Sequence, residues 1–111
     1  FIQGMIVSIP LHFSWFNDKV DTETIQSLIE EFYLGAKFIK VLKKDEGISD
    51  NGYFRPDNLV GTNCLDISIF GNDDNDQLII CSRLDNLGKG ASGAAIQSMN
   101  IALGFDETLG L

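Results

Sequence analysis

The segment Gly88-Lys89-Gly90-Ala91-Ser92-Gly93 has the spacing Gly-x-Gly-x-x-Gly and stands between a strand-like run and a helix-like run. In a dinucleotide fold, glycines so placed let backbone N–H groups approach a pyrophosphate at a helix N-terminus. That use needs a second parallel strand after the helix, carrying an acidic residue for the ribose. Neither follows before Leu111. Two readings stay open. In one, the turn brings N–H groups to an anion or a polarised carbonyl. In the other, Gly88 and Gly90 merely turn the chain, Gly93 lets the helix pack closely on a sheet, and Lys89 is a solvated charge.

Other chemistry-bearing side chains are sparse. Cys64 and Cys81 fall in apolar strand-like runs without an adjacent base or positive charge, which suits core thiols rather than nucleophiles. His12 is the only histidine, set among Ser8 and Ser14 at polar alternating positions, so it reads as a solvent-side strand residue and offers neither a zinc site nor a dyad. Asp73, Asp74 and Asp76 resemble the start of a calcium loop but lack its glycine and terminal glutamate, which leaves a solvated hairpin tip. No metal site is expected. The spacing of Phe13, Trp15, Phe32 and Phe38 assigns them mostly to core packing.

The elements that must position these residues follow from periodicity. From Met5 to Phe16 the odd positions Met5, Val7, Ile9, Leu11, Phe13 and Trp15 are apolar, the pattern of a half-buried strand, and Pro10 favours an edge. Asp21 or Thr22 caps a helix bearing Ile25, Leu28, Ile29 and Phe32 on one face, with Gly35 at its end. Phe38, Val41 and Leu42 among Lys37, Lys40 and Lys43 give a short strand with a basic outer face, and a loop runs from Lys44 to Asn58. Leu65–Phe70 and Leu78–Cys81 form a hairpin around the polar stretch Gly71–Asp76. Ala91–Leu103 is a second helix with Ile96, Met99 and Leu103 on one face, closed by Gly104. The order β-α-β-β-β-α implies an α+β fold: a mixed, mostly antiparallel sheet with helices packed on one face, one domain over residues 1–111.

Composition narrows the partners. With 16 acidic and 8 basic residues the formal charge is -8, a field that repels nucleic acid and anionic membrane surfaces. The apolar runs are too short to span a bilayer, and no secretory leader pattern is present. Two sparsely placed cysteines fit a reducing cytoplasm. The same field disfavours a phosphorylated substrate unless cations come from elsewhere, which points to a partner domain. Phe1, opening inside an apolar run without methionine, suggests a domain or fragment of a longer chain.

The run Asp85 to Asn100, followed by Gly104-Phe105-Asp106-Glu107-Thr108-Leu109-Gly110-Leu111, resembles the terminal segment of N-acetyl-gamma-glutamyl-phosphate reductases. Further anchors are Gly61-Thr62-Asn63 with Asp66-Ile67, Gly4 to Ser8, and Glu30 to Gly35. The resemblance implies the carboxy-terminal part of an oxidoreductase of arginine biosynthesis, a relative of glyceraldehyde-phosphate dehydrogenase. It would reduce N-acetylglutamyl 5-phosphate with NADPH, through a cysteine thioacyl intermediate and a proton-moving histidine. Both of those residues belong to motifs before Phe1, so the resemblance assigns this chain no catalytic residue and implies that alone it is inactive. It implies that Asn86 reaches the nicotinamide carboxamide, with Lys89 and Gly90 as cofactor-side supports and Asn63 lining the substrate pocket. Helix 91–103 would dock on a nucleotide-binding domain absent here, and the sheet would serve a homo-oligomer. Gln3 and Val60 depart from the basic residue common in the family at those places. The alternative is a stand-alone oligomerisation or small-anion-binding module.

Overall fold

A computed structural model of the chain describes residues 2–49 and 51–111; the reading of Phe1 as an opening inside an apolar run lies outside them. Strand β1 (Met5–His12) leads through a 3-10 turn (Phe13–Trp15) to helix α1 (Thr22–Phe32), then to a short strand β2 (Ile39–Val41). Strands β3 (Leu65–Asn72) and β4 (Gln77–Leu84) form the hairpin, and helix α2 (Gly93–Ala102) follows a π-helical turn (Gly88–Ser92). The sheet order is β1-β4-β3-β2; β4 runs antiparallel to both neighbours and β2 parallel to β3. This is the α+β fold with a mixed, mostly antiparallel sheet. Pro10 lies on an edge strand, the placement its missing N–H favours.

Asp21 caps α1, its carboxylate accepting from Thr24 N at 2.8 Å and Thr24 Oγ1 at 2.6 Å. The hairpin tip holds the same helix end. Asp73 accepts from Thr22 N at 3.0 Å and from Thr22 Oγ1, while Asp76 accepts from Ser14 N at 3.0 Å. The tip carboxylates expected to be merely solvated are therefore ties between the hairpin, the 3-10 turn after β1 and α1. His12 sits at the exposed end of β1, stacked on Trp15 with ring centroids 5.0 Å apart.

The core lies between α1 and one face of the sheet. Ile25 packs with Ile67, Ile69 and Leu78, joined by Ile29 and Tyr33 from α1 and Leu11 from β1. The inward stripe of α1 is thus Ile25, Ile29 and Tyr33, while Leu28 and Phe32 of the expected face are exposed, as is Trp15. The cause is position: α1 lies over β3 and leaves β1 uncovered, so Met5, Val7 and Ile9 remain 36%, 42% and 50% exposed. The half-buried strand of the sequence pattern is half-buried only where the helix reaches.

The opposite sheet face carries a buried ion pair. Asp66 Oδ2 accepts from Arg83 Nε at 2.9 Å and Nη2 at 2.8 Å, and Arg83 Nη1 donates to Gly47 O at 3.0 Å. The Phe54 ring stacks 4.5 Å from the guanidinium. One arginine thereby fastens the long β2–β3 loop, in which Ile48 and Phe54 form an antiparallel bridge, onto the sheet.

The last helix departs from expectation. The π-turn carries it straight from the end of β4, and its buried residues are Gly93 and Asn100 rather than an apolar stripe; Met99 and Leu103 are exposed. Its main packing partner is the π-turn that precedes it. Asn100 Nδ2 donates to Leu109 O at 2.8 Å and folds the terminal residues back on the helix.

Candidate functional site

The sharpest constellation forms where β4 ends and the helical turn begins. Asp85 is 2% exposed, and its carboxylate accepts from Gln3 Nε2 at 2.7 and 2.8 Å, Gly61 N at 2.7 Å and Leu87 N at 2.9 Å. The Gln3 amide first, then the N–H groups of Gly61 and Leu87, hold its carboxyl down at about 2, below the usual carboxylate range. Three distant segments meet on one charge.

Beside it, Asn86 Oδ1 accepts from Gly4 N at 2.8 Å. Because Gly4 N–H can only donate, the accepting atom must be the oxygen, which assigns the amide and leaves Nδ2 as its free end. No described residue accepts from that Nδ2. Asn86 is half-buried, Leu87 next to it is exposed, and the pair forms a small polar and apolar edge.

The glycine turn answers the question left open by its spacing. Gly90 N donates to Asp85 O at 2.8 Å, Ser92 N to Leu87 O at 3.3 Å, and Gly93 N to Gly88 O. These N–H groups close the π-turn and are not available to an anion, and the Asp85 carboxylate lies at its base. The packing reading holds at Gly93, with one change: the close neighbour is Asn63 rather than the sheet, since a Cβ on Gly93 would fall 2.2 Å from Asn63 Oδ1.

The remaining candidates are tied to the same turn. Lys89 Nζ donates to Gln97 Oε1 at 2.6 Å and lies 5.7 Å from the centre of the Phe38 ring. Asn63 is buried, donates from Nδ2 to Gln97 Oε1 at 3.3 Å, and has no described partner for Oδ1. Gln97 Nε2 in turn donates to Glu107 Oε2 at 2.9 Å. Lys89, Asn63 and Gln97 are thus one network beside the turn, on which Gly90 is exposed and Asn86 half-buried. A donor amide beside an apolar edge, backed by a fixed carboxylate, suits a neutral hydrogen-bond acceptor such as a carboxamide better than a phosphate.

Nucleophile and base do not assemble here. Cys81 is buried in mid-β4 with Ser8 Oγ 3.4 Å from its sulfur, and the register His12↔Gln77, Ser8↔Cys81 puts four residues between thiol and imidazole. At ~3.4 Å per residue that is roughly 14 Å, beyond proton transfer. Cys64 is half-buried in the turn before β3.

Two residues central to this geometry were not singled out by spacing, Asp85 and Gln3. Their contact joins positions 82 residues apart. The one local signal was an acidic residue at the end of an apolar strand, directly before Asn86.

A family model described as "Semialdehyde dehydrogenase, dimerisation domain" matches residues 1–86. The chain is 44% identical over its whole length to a protein of Nostoc named N-acetyl-gamma-glutamyl-phosphate reductase 2, and 43% identical to a Trichormus variabilis protein named N-acetyl-gamma-glutamyl-phosphate reductase; it covers 35% of each. A Pseudomonas putida relative is 36% identical over 92% of this chain. The chain thus spans about a third of the length of the curated relatives it matches. With its mixed sheet, its α1-covered core and a match over residues 1–86, the chain belongs to the semialdehyde dehydrogenase dimerisation-domain family.

Proposed function

We propose that this chain is the carboxy-terminal part of an NADPH-dependent reductase converting N-acetylglutamyl 5-phosphate to N-acetylglutamate 5-semialdehyde and phosphate. The observation that carries the reading is its full-length likeness to proteins named N-acetyl-gamma-glutamyl-phosphate reductase. In this role the chain supplies the sheet and the Asn86 edge. Asn86 Nδ2 donates to the carboxamide of the nicotinamide, Lys89 and Gly90 hold the turn, and Asn63 braces it from the substrate side. NADPH, when bound, supplies the hydride; the thiol and imidazole come from sequence outside this chain.

The uncovered residues suggest where the rest of the protein sits. Helix α2 and the tail, with Met99, Leu103 and Phe105 exposed, face a nucleotide-binding domain, and the sheet takes part in a homo-oligomer. Free thiols at Cys64 and Cys81 fit a cytoplasmic setting. The test is NADPH oxidation in the presence of N-acetylglutamyl phosphate, with phosphate release, by the full-length polypeptide and by this chain alone. Turnover by the former only is expected; turnover by the 111 residues alone would overturn the reading.

A further inference from the structure

The hydrogen bonds around Asn86 form a reciprocal clasp. Residues 3 and 4 reach residues 85 and 86 twice: the Gln3 side chain donates to the Asp85 carboxylate, and the Gly4 backbone donates to the Asn86 side chain. Asp85 is simultaneously held by Gly61 N and Leu87 N, so it cannot shift without breaking the start of the helical turn. Gly4 has φ +111°, and a Cβ there would stand 2.4 Å from Pro56 O. Only glycine takes that backbone angle against that carbonyl, and the conformation is the one that aims its N–H at Asn86.

We propose that Gln3, Gly4 and Asp85 are positioning residues for Asn86: they lock its amide with the oxygen turned inward and the NH2 presented outward, which sets affinity for the nicotinamide carboxamide. Deprived of the clasp, Asn86 could rotate and offer either end, so a donor fixed in advance would become one that must be ordered on binding. This rests on the reading of Asn86 as a cofactor contact and goes beyond it by assigning what fixes the contact.

The experiment is steady-state kinetics and direct NADPH binding on the full-length reductase carrying Gln3→Ala, Gln3→Arg, Asn86→Ala, and Gln3→Ala with Asn86→Ala. For Gln3→Ala, the KM for NADPH is expected to rise on the order of fivefold more than the KM for the acyl phosphate, the size of one neutral hydrogen bond. Gln3→Arg, whose guanidinium also donates to both Asp85 oxygens, should restore most of that loss. In the Asn86→Ala background Gln3→Ala should add nothing to the KM for NADPH. Equal effects on both substrates, or an undiminished effect of Gln3→Ala without Asn86, would overturn the positioning role while leaving the cofactor contact standing. If Asn86→Ala itself left NADPH binding unchanged, the contact would fall and the clasp proposal with it. Gly4→Ala checks the backbone arm independently, with the same expected bias toward NADPH.

Discussion

A buried carboxylate with a filled set of donors makes a specific claim about acid. Asp85 has its carboxyl held at about 2, against 3.8 for the unperturbed group. Because the folded value is the lower one, the group contributes stability that is present above about pH 4. That contribution is lost as pH falls toward 2. An Asp85→Asn variant should therefore be less stable than the parent at neutral pH, since one acceptor becomes a donor facing N–H groups. The gap should narrow between pH 4 and 2. Urea midpoints for both proteins across that range check it; a constant gap would mean that the charge contributes nothing. The other lowered carboxyls, at Asp21, Glu46, Asp57 and Asp106, are present in both proteins and cancel in the difference. Gly93→Ala is the second residue-scale test. Its methyl would meet Asn63 Oδ1, push Asn63 from Gln97 and loosen the turn, lowering thermal stability and, in the full-length protein, affinity for NADPH.

Two contacts govern the elements. Ile69 lies in the buried cluster beneath α1, and Ile69→Ala should cost about 2–5 kcal/mol by urea denaturation, as large-to-small changes in packed cores do. On the other face, Asp66→Ala leaves Arg83 buried beneath Phe54 without its carboxylate, and about 3–5 kcal/mol is expected. Hydrogen exchange should then show the β2–β3 loop opening before the hairpin, because Arg83 is what fastens it. Much at this scale was legible in the sequence. Alternation drew β1, apolar β-branched runs around the polar stretch Gly71–Asp76 drew the hairpin, the 3,4,7 spacing with a cap at Asp21 or Thr22 drew α1, and Pro10 marked the edge. Illegible were the π-turn and the inner stripe of α2. Helical periodicity in apolar residues marks a buried face only when the helix lies on its own domain, and here Ile96, Met99 and Leu103 mark a helix whose buried positions are glycine and asparagine. The ties from Asp73 to α1 and from Asp76 to the 3-10 turn after β1 were equally hidden, because each joins residues that are neighbours only after the sheet forms.

At the scale of the molecule, the chain is extended. The radius of gyration is 15.5 Å, against about 13 Å for a compact domain of this length. Exposed Met5, Val7 and Ile9 on β1 and Met99, Ile101, Leu103 and Phe105 near the C-terminus form two apolar surfaces. Replacing Ile101 and Leu103 by glutamine should raise the solubility of the chain expressed alone. If the proposed nucleotide-binding domain covers this surface, the same changes should lower the thermal midpoint of the full-length protein; sedimentation and thermal unfolding of both forms test the pair. The candidate site divides the same way. Asn86, Lys89, Gly90 and Asn63 could be named only through the family resemblance, and it is the fold that brings Asn63 and Lys89 together on Gln97 beside the turn. The Gln3–Asp85 support could not, since it depends on strand β1 returning beside β4.

The central claim, that this chain presents the cofactor edge while the reacting thiol lies elsewhere in the polypeptide, is tested most directly by trapping. Full-length protein is mixed with N-acetylglutamyl phosphate without NADPH, quenched in acid, digested and mapped by mass spectrometry. The account expects the acyl group on a cysteine outside these 111 residues, with Cys64 and Cys81 unmodified. Acylation of Cys64 or Cys81 would contradict it.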